Sequence, residues 1–191
     1  MKGANNLILH NDLIAKALRL AALYHKNDTR KGKELPYIVH PVEVAMILQE
    51  NDMDDDIIIA GLLHDTLEDT SLTKSDIEKE FGKRIADLVV GASEKLINRD
   101  DRPWKERKNH TLKFLKEAER EVKILSCADK LSNAKSILRD LEVTENEFWD
   151  RFNAGYEEQK WYYRGLVESL KSLEGNEIYE EFKRVVYKIF Q

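Results

Sequence analysis

The segment Ile57-Ile58-Ile59-Ala60-Gly61-Leu62-Leu63 constrains this chain more than any other, because it is apolar on every face of a helix. Asp54, Asp55 and Asp56 precede it and mark its start, since carboxylates are favoured where the helix dipole is positive. A helix with no polar side has to be covered all round. It is far too short to cross a bilayer, which takes about 20 residues. The remainder of a 191-residue chain is long enough to supply the cover without disulfide staples.

That cover reads as a series of amphipathic helices. Leu13, Ile14, Ala17, Leu18, Ala21 and Tyr24 recur at helical spacing, with Asn11 or Asp12 available as a cap. Asn27 to Pro36 breaks the period and is expected to be a loop. Pro41 opens a second helix, where its missing N–H costs nothing, with Val42, Ala45, Met46 and Leu48 as the apolar side. After the apolar helix, Thr73 and Asp76 form a capping-box pattern, Gly82 is a stop, and Ile85, Leu88, Val89 and Ala92 begin another helix. A charged loop is expected between Ile97 and Pro103, then helices near 104–118 and 120–139, a long one after Thr144 to Glu147, and a last one that closes the chain. Eight glycines, three prolines and 35% charged residues against 42% apolar ones agree with an all-α protein. Neither a repeat nor a linker divides it, so one domain over 1–191 is expected.

The formal charge of −5 argues against a general nucleic-acid binder. Cys127 is the only cysteine, which excludes an intramolecular disulfide, suits a reducing compartment, and fits a small core side chain. The amino terminus does not resemble a signal peptide, and no stretch has the length of a membrane span. The expectation is a cytoplasmic protein that binds neither membrane nor nucleic acid; its oligomeric state is not legible.

The chemistry is concentrated in His64-Asp65-Thr66-Leu67-Glu68-Asp69, directly after the apolar helix. His64 and Glu68, and likewise Asp65 and Asp69, are four apart and stack on one side if the helix continues. Carboxylates at a helix end oppose the dipole, whereas a bound divalent cation would reverse the sign of the effect. A frayed, solvated helix end explains the same residues. His40, in Tyr37-Ile38-Val39-His40-Pro41, and Asp129, in the apolar stretch Ile124 to Leu131, add two further candidates. Each also has an ordinary explanation: a hydrogen-bonded core histidine, and a carboxylate paired with Lys130 or Asn133.

Taken together, Arg30-Lys31-Gly32, Pro36-Tyr37-Ile38-Val39-His40-Pro41, His64-Asp65-Thr66-Leu67-Glu68-Asp69-Thr70 and Ala128-Asp129-Lys130-Leu131-Ser132-Asn133 resemble the HD-domain metal-dependent phosphohydrolases. Within that family they resemble the hydrolase domain of RelA/SpoT proteins and the small alarmone hydrolases, over roughly 13–170. It implies a helical HD-domain bundle that removes the 3′-pyrophosphate from guanosine tetra- or pentaphosphate. It also implies His40, His64, Asp65 and Asp129 as metal ligands, Glu68 and Asp69 as the catalytic acidic pair, and Arg30 and Lys31 as cations that meet phosphate. Lys95, Asn133 and Arg151 match nucleotide-contacting positions. Where relatives carry a tyrosine four residues after the position of Arg151, this chain has Gly155, and Tyr156 follows one place later as the candidate contact.

Two imidazoles and two carboxylates suit manganese or iron, with zinc as a further candidate, and the resemblance implies manganese. Two other functions fit the same residues. One is an HD phosphohydrolase acting on another nucleotide or on a nicotinamide cofactor phosphate. The other is a non-catalytic nucleotide-binding module, for which Glu68 and Asp69 have no evident use.

Overall fold

Regular structure among the described residues is helical, apart from one isolated antiparallel bridge between Thr29 and Pro36. The computed structural model describes residues 2–31, 33–93, 102–142, 149 and 154–191, with the side chains of the first helix from Asp12 onward. The chain divides into two compact units, Met1–Ser93 and Glu94–Gln191.

The first unit contains α1 (Lys2–Tyr24), α2 (Val39–Glu50), α3 (Asp55–Leu63), α4 (Thr66–Asp69), α5 (Lys74–Phe81) and α6 (Lys83–Ala92). As its composition requires, α3 lies at the centre, packed against α1, α2 and α6, with every residue from Ile57 to Leu63 buried. Each isoleucine or leucine removed from water in this way contributes roughly 1.5–3 kcal/mol. Asp54 caps α3 by accepting the Ile57 amide at 3.1 Å. Arg84 of α6 then reaches Asp54 at 2.9 Å and Asp56 at 2.5 Å, which ties the start of α3 to its neighbour. Partial burial pushes the Asp54 carboxyl up, but the hydrogen bond and charge of Arg84 and the Ile57 amide outweigh it and hold the group below the ordinary carboxylate range. The Thr73–Asp76 capping box forms, and Gly82 joins α5 to α6 at φ +90°, a conformation strained for any residue with a Cβ.

Two boundaries differ from expectation. The first helix begins at Lys2, so Asn11 and Asp12 lie within it and not at its start. The second begins at Val39 instead of Pro41. Pro41 occupies the third helical position, still within the first turn, where the backbone N–H has no intrahelical partner to lose.

The second unit contains α7 (Trp104–Glu117), α8 (Arg120–Leu141), α9 (Tyr156–Ser169), a 3-10 turn (Lys171–Leu173) and α10 (Glu177–Ile189). α10 lays Ile178, Tyr179, Phe182, Val185, Val186 and Ile189 on one buried stripe and packs against α8 and α9, while α7 packs against α9. Lys123 of α8 is buried, and its ammonium donates to the Lys116 carbonyl at 3.0 Å and the Ser172 hydroxyl at 3.1 Å, joining the end of α7 to the 3-10 turn. Cys127 is buried as expected, and burial, reinforced by the Asp129 charge, pushes its thiol far up, which disfavours the thiolate. The capping pattern at Thr144 to Glu147 and most of the loop expected between Ile97 and Pro103 lie outside the described residues. Among the described residues no helix is long and apolar enough to cross a membrane.

Candidate metal centre

His64 and Asp65 occupy a break in the helix that the sequence left conditional. α3 stops at Leu63, both residues form a turn, and α4 starts at Thr66. Carbonyls near the end of α3 receive side-chain donors: the His64 ring donates from Nδ1 to Gly61 at 2.8 Å, and the Thr66 hydroxyl donates to Leu63 at 2.6 Å. The Ser93 hydroxyl donates to the His64 carbonyl at 3.2 Å and to that of Val89 at 2.8 Å. Backbone and ring of His64 are therefore both fixed.

Because a carbonyl can only accept, Nδ1 carries the proton, and in the neutral ring Nε2 presents a lone pair. That Nε2 lies 3.1 Å from Asp65 Oδ2. The Nε2 atom of His40, a buried residue in the first turn of α2, lies 3.6 Å from the same oxygen. The two imidazole centroids are 5.2 Å apart. One donor atom from each of His40, His64 and Asp65 falls within 4.8 Å of the other two. Acceptors brought this close repel unless a cation or proton lies among them, so the donor set fits a divalent metal. The negative end of α3 adds to the attraction. Glu68, half-buried, and Asp69, exposed, follow on α4, one turn from Asp65.

Asp129 is on α8 in the second unit, buried, with its carboxylate accepting from Asn133 at 2.6 Å and from Lys130. Both partners named by the ordinary reading of its sequence are thus present. Asn133, a candidate nucleotide contact, spends at least one N–H on this bond.

Arg30 and Lys31 belong to the loop between α1 and α2, and that loop is tied down. Arg30 donates its amide to the Leu35 carbonyl at 2.9 Å, and Tyr37 donates its amide to that of Asp28, also at 2.9 Å. Arg30 is half-buried with its guanidinium 5.6 Å from the centre of the Tyr37 ring, whereas Lys31 is exposed. Tyr156 opens α9 and packs against Trp149 and Phe190, at 5.3 and 5.7 Å between ring centroids, with its hydroxyl donating to the Gln191 carbonyl at 3.4 Å. Lys95 and Arg151 lie outside the described residues.

Tyr37, His25 and Ser93 have no role that the sequence assigns. Tyr37 donates its hydroxyl to Asp65 Oδ2 at 2.5 Å across 28 residues of sequence. His25 is buried, paired through Nδ1 with Asp28 at 2.9 Å, and packed on the Tyr37 ring at 4.8 Å. The only available signal was the position of Tyr37 three residues before His40.

Comparison with known proteins bears on this arrangement. A profile of the HD domain family matches residues 17–149. The MESH1 protein of Xenopus tropicalis, named a guanosine-3′,5′-bis(diphosphate) 3′-pyrophosphohydrolase, is 35% identical over 166 residues, covering 85% of this chain and 86% of that protein. A protein of Aquifex aeolicus with the same enzymatic name is 40% identical over 129 residues, but the match spans 67% of this chain and only 18% of the relative. Among solved structures, lmo0812 of Listeria monocytogenes superposes with a TM-score of 0.72 at 36% identity, covering 79% of this chain and 98% of that one. A metazoan ortholog of SpoT, described as hydrolysing ppGpp, superposes with a TM-score of 0.74 at 26% identity, covering 92% and 94%. The extent of the profile match, and a relative of similar length aligned over most of both chains, show that this chain belongs to the HD-domain family.

Proposed function

We propose that this chain is a metal-dependent phosphohydrolase that removes pyrophosphate from the 3′ position of guanosine tetra- or pentaphosphate. The observation that carries the reading is the convergence of His40, His64 and Asp65 donor atoms beside Glu68 and Asp69. The names and extent of the similar proteins support the substrate class. Asp129 is proposed as a further ligand; its place in the sequence pattern supports this, and its burial agrees with a carboxylate that requires cationic partners. The mixed nitrogen and oxygen donors suit manganese or iron, with zinc next, and the sequence pattern favours manganese among them.

When bound, a divalent cation supplies Lewis acidity, polarising a phosphoryl oxygen and lowering the pKa of water. The side chains perform the remaining work. Water adds to the phosphorus attached to the ribose 3′ oxygen, the bond between that oxygen and phosphorus breaks, and the ribose oxygen takes up a proton. Glu68 and Asp69 are the proposed carriers, one removing the proton from water and the other delivering one to the leaving oxygen. Arg30 and Lys31 neutralise substrate phosphates, so a cationic loop offsets the acidic charge of the whole chain. Lys95 and Arg151 are proposed phosphate contacts on the same sequence pattern. A cytoplasmic location is proposed from the single cysteine.

Gly155, at the position where relatives carry a tyrosine, favours one alternative, a different phosphorylated nucleotide or a nicotinamide cofactor phosphate. Steady-state kinetics on a panel of phosphorylated nucleotides with manganese separates the readings. The guanosine alarmones are expected to give the highest kcat/KM; a much higher value for another nucleotide defeats the first reading.

A further inference from the structure

We infer that Tyr37 is a positioning residue that couples the candidate cation site to the Arg30 loop, an inference that rests on Asp65 being a metal ligand. Its hydroxyl donates to Asp65 Oδ2, the oxygen that lies 3.1 Å from His64 Nε2 and 3.6 Å from His40 Nε2. A carboxylate can rotate about its last bond and offer either oxygen, and a hydrogen bond to one of them selects the rotamer. Bonds of this kind to a ligating group govern metal affinity, typically by about 10- to 100-fold.

The ring of Tyr37 is held independently of its hydroxyl. It packs on the buried His25 imidazole at 4.8 Å with the two planes inclined at 34°, and His25 is oriented by Asp28 at 2.9 Å. Arg30, 5.6 Å from the Tyr37 ring centre, is attracted by the negative face of the ring. The Tyr37 amide, bound to the Asp28 carbonyl at 2.9 Å, closes the loop that carries Arg30. One side chain therefore has two separable functions: the hydroxyl orients a ligand, and the ring seats a guanidinium.

Tyr37→Phe and Tyr37→Leu separate them in the full chain. Manganese binding is followed through the electron paramagnetic resonance signal of the free ion, and folding through circular dichroism, with His64→Ala as the reference for a broken site. Tyr37→Phe keeps the ring and is expected to weaken manganese binding roughly 10- to 100-fold, with the nucleotide KM at saturating manganese within about twofold of wild type because Arg30 keeps its seat. Tyr37→Leu is expected to weaken manganese binding equally and, in addition, to raise KM. Manganese affinity of Tyr37→Phe equal to wild type, with His64→Ala unable to bind, overturns this inference and leaves the metal site standing. Wild-type protein that binds manganese no better than His64→Ala overturns both.

Discussion

The two ring nitrogens of His64 have different tasks. Nδ1 is committed to the Gly61 carbonyl, which leaves Nε2 directed at Asp65. A ligand aimed in this way needs no reorganisation when a cation arrives. We expect Asp129→Ala to lose its metal, measured as metal content after dialysis; full occupancy contradicts its assignment as a ligand. Glu68→Ala and Asp69→Ala should keep near-normal metal and lower kcat by roughly 100-fold or more, as for a lost acid or base group. Loss of metal from either variant would instead make that residue a ligand. The grouping of His40, His64 and Asp65 was legible because each stands in a motif of fixed order. The partners that aim them were not. Tyr37 finds Asp65, and Ser93 finds the His64 carbonyl, only through the packing of elements distant in sequence. The packing of Tyr156 was not legible either: its ring lies against Trp149 and Phe190, which are distant in sequence or outside any motif.

At the scale of elements, α3 carries the first unit. Ile59, with no exposed surface, faces neighbours on all sides, so Ile59→Ala leaves a cavity and should cost about 2–5 kcal/mol in a denaturant titration. A loss below about 1 kcal/mol would mean that the site collapses freely. The start of α3 adds a pH dependence. Asp54 is held below its ordinary value in the folded state, so its contribution is fully present above the unfolded value of 3.8 and is lost as pH falls through the lower folded value. Asp54→Asn retains a good cap but removes the charge facing Arg84. Thermal midpoints of wild type and Asp54→Asn should differ at neutral pH, begin to approach each other near pH 3.8 and converge only below the lower folded value; a gap that persists in stronger acid excludes the ion pair as its source. Apolar periodicity revealed α3 and α6, and turn chemistry revealed Gly82 and the Thr73 box. The break at His64 and Asp65 was not visible, because both residues adopt helix-like backbone angles and interrupt the helix only by exchanging backbone for side-chain hydrogen bonds.

At the scale of the molecule, all-α architecture followed from one helix with no polar face and several with a single apolar stripe. The strongest stripe at the C-terminal end, on α10, is buried as that pattern requires. Membership in the HD-domain family agrees with the donor set in the first unit, and the acidic net charge is compatible with an anionic substrate only because cations are gathered locally, as at Arg30 and Lys31. The proposed reaction leaves a chemical record that binding or general phosphatase activity would not. The decisive measurement is identification of the products formed from guanosine tetraphosphate by the manganese-loaded protein. Guanosine diphosphate and pyrophosphate are expected in equal amounts, absent with His64→Ala. Release of orthophosphate, or unchanged substrate in the presence of folded, metal-loaded protein, would contradict the proposed reaction.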